Sequence, residues 1–409
     1  MRRGIFTLTL FASAAFAGDF SQASEQLADH LIRGQYQAII GDCTACHSKQ
    51  GGKPFAGGEP LQTPFGALVP PNITPDRETG IGNWSEADFR NALKKGVGHG
   101  GKRLYPAMPY PAYTKMPDSD ISDLWAYMRT IEPVHNPVEA NQLPFPLNVR
   151  LLMAGWNGIN FSPEPFKADP DQSEEWNRGA YLVQGPGHCG TCHSPKTVLG
   201  ADKTDEALQG ASLQGWYAPA ITGSVANGIG GWSKDEIVRY LKTGSNGRTI
   251  ASGPMSEAIE HSTSKMDEAD LKAIAVYLQT VPPLDDPEQK SISADDPQFK
   301  IGAAIYHDTC SACHGMDGKG AGQLFPALAD NAIVRQPSIE TLARLVLAGS
   351  QGVHTKTMKT TPAMPSLAWR LDDEQIAAVL TYVRNSWDNA APPASASDVA
   401  SVRQSLTDQ

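Results

Sequence analysis

A chain of 409 residues with 40% hydrophobic and 19% charged content has the make-up of a globular protein of two to four domains, not of a disordered one. Its 34 basic and 44 acidic side chains leave a formal charge of −10, which argues against nucleic acid as a partner. With 38 glycines and 31 prolines, many turns and long loops between short helices are expected.

The chain opens with Arg2 and Arg3, an apolar run from Ile5 to Phe16, and Ala15-Phe16-Ala17, which has the small-x-small form of a signal-peptidase site. Residues 1–17 read as a secretory signal cut near Gly18, because the apolar run is too short to span a bilayer. The mature chain is therefore expected on the periplasmic side of the inner membrane.

Further along, Cys43-Thr44-Ala45-Cys46-His47, Cys189-Gly190-Thr191-Cys192-His193 and Cys310-Ser311-Ala312-Cys313-His314 repeat one pattern. Two thiols three positions apart, followed at once by a histidine, form the attachment signature of a c-type haem. A single copy would compete with a redox dithiol or half a zinc site. Here all 6 cysteines fall inside three copies, so none remains for a disulfide or a nucleophile. Three covalently bound haem c groups are expected, attached through Cys43, Cys46, Cys189, Cys192, Cys310 and Cys313. His47, His193 and His314 are the expected proximal iron ligands.

Each motif follows a helix candidate with a glycine and an aromatic: Gly34 and Tyr36, Gly179 and Tyr181, Gly302 and Tyr306. Each unit ends in an apolar periodic segment with a tyrosine, Tyr127, Tyr277 or Tyr382. A glycine lets two helices approach closely, and the neighbouring aromatic is expected to fill the crossing. Between these helices Ser85, Ser233 and Ser338 each stand at the same distance before Gly96, Gly244 and Gly349, marking N-cap and C-cap of a third repeated helix. Each unit so built resembles a class I cytochrome c. The expected fold is mainly α, with three such domains in tandem, long loops and Pro-rich linkers. The boundaries are domain one at 19–135, a linker at 136–170, domain two at 171–282, a linker at 283–297 and domain three at 298–389. Within the first linker, Leu147 to Trp156 reads as one short apolar helix, either packed between domains or serving as a docking or membrane face. The polar tail, 390–409, reads as disordered.

The second axial ligand decides what the iron does: a strong one makes an electron carrier, an open position an enzyme. Met108 competes with Met116, Met255 with Met266 and Met364 with Met358. Met116 and Met266 stand at one distance before their tyrosines, where the third unit has Leu371, so this register reads as packing. Met108, Met255 and Met364 lie in loops between the middle and last helices and are the expected axial ligands. His99 is the rival for a bis-histidine site, and His188 reads as a surface or supporting residue. The carbonyls of Pro71, Pro219 and Pro326 are candidates to hold the proximal imidazoles.

Gly51 to Gly58, Pro71 to Asp76, Gly80-Ile81-Gly82, Leu104 to Tyr110 and Pro146 to Asn157 resemble the triple-haem cytochrome c subunits of bacterial membrane-bound dehydrogenases. That resemblance implies an electron-transfer subunit with peripheral membrane association and no substrate-oxidising site. It would accept electrons from a flavin- or PQQ-dependent alcohol, sugar or sugar-acid dehydrogenase subunit and pass them to ubiquinone. The alternatives are a haem enzyme with an open iron (peroxidase or oxygen reductase type) and an adaptor of a molybdenum hydroxylase.

Overall fold

The computed structural model describes residues 13–284, 291–356, 358–359 and 361–407, with side chains from residue 24 onward. Residues 1–12 of the expected signal segment lie outside the described residues. Ser13 already belongs to α1 (Ser13–Ile40). Among the described residues no helix is long and apolar enough to cross a membrane.

Three helical units follow one another. The first holds α1, α2 (Glu86–Lys95) and α3 (Asp118–Met128). After α4 (Leu152–Asn160) the second holds α5 (Glu174–Gln184), α6 (Lys234–Thr243), α7 (Pro254–His261) and α8 (Glu268–Leu278). The third holds α9 (Pro297–Ile305), α10 (Glu340–Ala348), α11 (Asp373–Arg384) and α12 (Ala396–Thr407). Each unit has its own apolar core, led by Ile121 and Leu124, by Leu182 and Leu271, and by Leu347 and Ile376.

The crossing of first and last helices repeats closely. A Cβ on Gly34, Gly179 or Gly302 would lie 2.0 Å from the carbonyl oxygen of Asp123, Ala273 or Ala378 respectively. No side chain fits there, so glycine sets the approach of the two backbones. The middle helices follow the cap pattern in two units. Ser85 and Ser233 accept from the amides of Asp88 and Glu236, whose carboxylates accept from the serine amides in return. Gly96 and Gly244 close those helices in the left-handed conformation. The third unit departs from this: α10 begins after Ile339, Ser338 accepts from the Glu340 amide, and Gly349 has φ 76° and ψ −176°. The Gly349 Cβ would lie 2.4 Å from the Met364 carbonyl oxygen, so this glycine serves close approach more than a helix stop.

The neighbouring tyrosines correct the expectation of one shared role. Tyr306 fills its own crossing, fully buried against Tyr382 and Trp387. Tyr36 instead crosses to the second unit and donates to Asp270 at 2.7 Å, while Tyr181 crosses back and donates to Asp120 at 2.7 Å. Asp120 and Asp270 stand at the same distance before Tyr127 and Tyr277, so units one and two exchange the same bond about a local pseudo-two-fold. Units two and three meet differently. Arg344 Nε donates to the Gly215 carbonyl, Gln336 to that of Asn227, and the Ala327 amide to that of Arg248.

Asp270 also receives both Nε and Nη2 of Arg178. Burial pushes its carboxyl up, but bonds from Arg178 and Tyr36 outweigh that and hold it below the ordinary range. A folded-state pKa below the unfolded one gives stability that is present above the unfolded value and lost as pH falls through the folded value. Asp270→Asn is therefore expected to cost about 2 kcal/mol at neutral pH. Denaturant titrations of parent and variant should differ at pH 7 and converge once the pH has fallen below the ordinary carboxylate range and the Asp270 carboxyl is protonated.

Two further expectations are corrected. The linker helix runs over Leu152–Asn160, not from Leu147, because residues 147–149 form turns closed by Leu147 and Val149 amides on the Pro144 and Pro146 carbonyls. The tail is not disordered: Ser395 accepts from the Asp398 amide to start α12, which seats Val399 and Val402 in the third core. Arg403 then fastens it to Asp373 and the Leu371 carbonyl.

Candidate haem centres

The three Cys-x-x-Cys-His segments form short helical turns just after the first helix of each unit. Burial pushes the Cys43, Cys46 and Cys189 thiols up to about 12 and Cys310 up to about 11. A redox dithiol needs a depressed thiol, the opposite of what these four thiols show.

The imidazoles are held alike in all three units. His47 Nδ1 lies 2.8 Å from the Pro71 carbonyl oxygen, His193 Nδ1 2.6 Å from that of Pro219, and His314 Nδ1 3.0 Å from that of Pro326. A carbonyl only accepts, so Nδ1 bears the hydrogen and Nε2 keeps its lone pair. Burial lowers each imidazole's pKa and the carbonyl bond opposes it only in part, which favours the neutral ring a metal needs. Each histidine carbonyl in turn accepts from a glycine amide: Gly57 at 2.9 Å, Gly210 at 2.7 Å and Gly320 at 2.8 Å.

Short hairpins carry the proline carbonyls in the first two units. β1 (Leu61–Thr63) pairs with β2 (Gly66–Leu68), and β3 (Ala211–Leu213) pairs with β4 (Trp216–Ala218). The third unit has no such hairpin at this place, and Pro326 follows His314 after 12 residues instead of the 24 and 26 of the others. Sequence reasoning missed the hairpins, although the two spacings carry their signature.

Met116, Met266 and Leu371 are buried in the three cores, as packing residues should be. Met108, Met255 and Met364 instead sit part-buried at the core margins. Met108 lies in a turn, Met255 in the first turn of α7 rather than in a loop, and Met364 in β6 (Ala363–Met364), paired with β5 (Ser350–Gln351). His99 is more than half exposed, pairs with Asp88 at 3.0 Å and stacks on Trp84. His188 is not a surface residue. It lies between units one and two, with Nε2 3.4 Å from the Gly41 carbonyl oxygen and its ring edge-on to Tyr113.

The residues present suit a covalently bound porphyrin: paired thiols at the attachment spacing, an imidazole with Nδ1 committed to a carbonyl, and soft thioethers at the core margins. Burial above all raises the Cys46 thiol, and Asp42 and then Cys192 add to it, since the first two motifs lie near enough for their charges to be felt.

A Cys-x-x-Cys-His turn following a glycine-spaced helix crossing defines a cytochrome c, and the cytochrome c family model matches residues 33–132 and 299–387. The chain is 39% identical to the gluconate 2-dehydrogenase cytochrome c subunit of Pantoea cypripedii, over 100% of this chain and 97% of that one. It is 37% identical to the fructose dehydrogenase cytochrome subunit of Gluconobacter japonicus, covering 91% and 82%. With the cytochrome c subunit of the quinone alcohol dehydrogenase of Gluconobacter oxydans it shares 36%, covering 96% and 86%. The chain belongs to this family of dehydrogenase cytochrome c subunits.

Proposed function

We propose that the chain is a triple-haem electron-transfer subunit that takes electrons from a periplasmic flavin- or PQQ-dependent dehydrogenase subunit and delivers them to ubiquinone. Domains at 19–135, 171–282 and 298–389 each hold one haem c through Cys43 and Cys46, Cys189 and Cys192, or Cys310 and Cys313. The middle domain is proposed on the same footing as the outer two. A cleaved signal at 1–17 places the mature chain on the periplasmic side of the inner membrane.

The observation that carries this reading is the threefold repetition of a motif histidine bonded through Nδ1 to a proline carbonyl. Each haem, when bound, supplies an iron that changes its oxidation state by one electron. The chain's own residues do the rest. The Pro71, Pro219 and Pro326 carbonyls stop the His47, His193 and His314 rings from turning and keep them in one tautomer. Met108, Met255 and Met364 would hold the iron through their thioethers, and a haem so held would have a higher potential than one held by two histidines. The Met364 strand is fixed by its pairing with Ser350 and by the missing side chain at Gly349. The likeness to gluconate, fructose and alcohol dehydrogenase subunits supports a catalytic dehydrogenase subunit as the partner.

The isolated chain should reduce no artificial dye with an alcohol or sugar, yet be reduced on adding its catalytic subunit and substrate. Dye reduction by the chain alone would overturn the reading. Met364→Ala should convert the third centre from a site inert to carbon monoxide into one that binds it stoichiometrically, read as a shift in the reduced absorption spectrum. Stoichiometric binding by the unmutated chain would instead support an open-iron enzyme.

A further inference from the structure

Among the described residues, half of the exposed large apolar side chains lie on segments of the first unit, its linker and the 198–199 turn of the second unit that meet one another. The most exposed are Val198 at 93%, Phe145 at 81%, Ile159 at 77% and Leu151 at 75%. Hydrogen bonds and close contacts join the segments that carry them. Trp156 Nε1 donates to the Leu199 carbonyl, a Cβ on Gly200 would meet the Phe65 ring at 2.9 Å, and the Tyr105 hydroxyl donates to the Leu147 carbonyl. α4 buries none of its residues, so its apolar side chains are not spent on the interior.

The linker's part of this face carries charge of one sign only. From Ala140 to Pro163 there is no acidic residue, in a chain that has 44 of them. Four cations border it: Arg150 lies over the Tyr105 ring and donates to the Arg103 carbonyl, Lys102 is adjacent, and the Lys95 carbonyl accepts from Asn157. None of these four takes part in the ion pairs found among the described residues. Four cations without ion-pair partners beside an acid-free linker, in a protein of net charge −10, suit an anionic partner, while Asp202 and Glu206 beyond Leu199 are paired with Lys196 and Lys203. The apolar contribution is mostly aliphatic, with Trp156 and Tyr105 beside it. Leucine and valine are sparse among protein–protein hot spots, whereas aliphatic side chains bordered by aromatics and cations are the signature of a helix lying in a lipid interface.

We propose that the face formed by Phe145, Leu151, Leu152, Ile159, Val198 and Leu199 seats the protein on an anionic lipid bilayer. Apolar insertion and basic attraction supply the two signals that stable peripheral attachment needs. Tyr105 stands three residues before Met108, so the seated surface brings the first unit's methionine turn next to the bilayer. This deepens the proposed delivery to ubiquinone and rests on that reading.

The test floats the full haem-loaded chain with phosphatidylethanolamine–phosphatidylglycerol vesicles and, separately, with phosphatidylcholine vesicles. The parent should float with the first and float poorly with the second. A chain with Leu151→Asp, Ile159→Asp and Val198→Asp should bind at least about tenfold less while keeping its haem spectrum. Leu324→Asp, on an exposed apolar residue of the third unit, should float like the parent. Arg150→Glu should weaken flotation at low salt and little at high salt. A parent that fails to float, or a triple variant that floats as well as the parent, overturns the proposal. So does a triple variant that floats normally but no longer co-purifies with the catalytic subunit, since the face would then dock protein. Failure of the electron-carrier reading would show separately, as absent haem absorption in the parent.

Discussion

Replacing Gly179 by valine should unfold the middle unit and strip it of its haem. A Cβ at this position would lie 2.0 Å from the Ala273 carbonyl oxygen and 2.9 Å from the Tyr277 Cβ, well inside any tolerable contact. The obstructing atoms are backbone and helix-bound, so relief requires α5 and α8 to part. Parting them opens the core of Ala180, Leu182, Leu271 and Ile274, which are nearly or fully buried. Overpacking with this little room should cost at least about 3 kcal/mol, a large share of one small unit's stability. Gly155→Ala offers the contrast. Nothing lies within 4 Å of its Cβ, and alanine in a helix interior should gain about 0.5–1 kcal/mol. Thermal unfolding followed by haem absorption distinguishes the two. A Gly179→Val chain that melts like the parent would refute close helix approach as the basis of the unit.

The second large effect is expected from Cys189→Ala combined with Cys192→Ala. Hydrogen bonds tie unit one to unit two through Tyr36 and Tyr181, and unit two to unit three through Arg344, Gln336 and Ala327. A relay along the chain therefore has the middle motif at its centre. With that centre removed, substrate added to the complex should reduce the haem nearest the catalytic subunit at the parental rate. The far one should stay oxidised, and quinone reduction should fall to background. Stopped-flow absorption resolves these amplitudes. Full reduction of both remaining haems at the parental rate would show that electrons bypass the middle unit.

Much of this was legible in the sequence because the chain writes one unit three times. Gly34, Gly179 and Gly302 announced the close crossings, since no other residue fits a Cβ-free contact. Met116 and Met266 declared themselves core residues through their shared register with Leu371. The Ser–Gly spacing marked the middle helices of units one and two. It misled in part for the third, where Gly349 yields space to the Met364 strand. Tyr36 and Tyr181 stand two residues after their glycines and turn to the neighbouring unit, whereas Tyr306 stands four after Gly302, on the crossing face itself, so the offset from the glycine separates their tasks. What a side chain meets across an interface is not encoded in its own helix, which hid His188, whose partners Gly41 and Tyr113 belong to another unit. Composition made the tail look structureless, yet Val399 and Val402, one helical turn apart, were enough to anchor a helix on the third core.

The central claim is that every Cys-x-x-Cys-His turn in this chain carries a haem. The intact mass of the mature protein, with its covalent groups retained, tests it most directly. Three porphyrins per chain are expected; two, with Cys189 and Cys192 recovered as free thiols in a peptide digest, would contradict it.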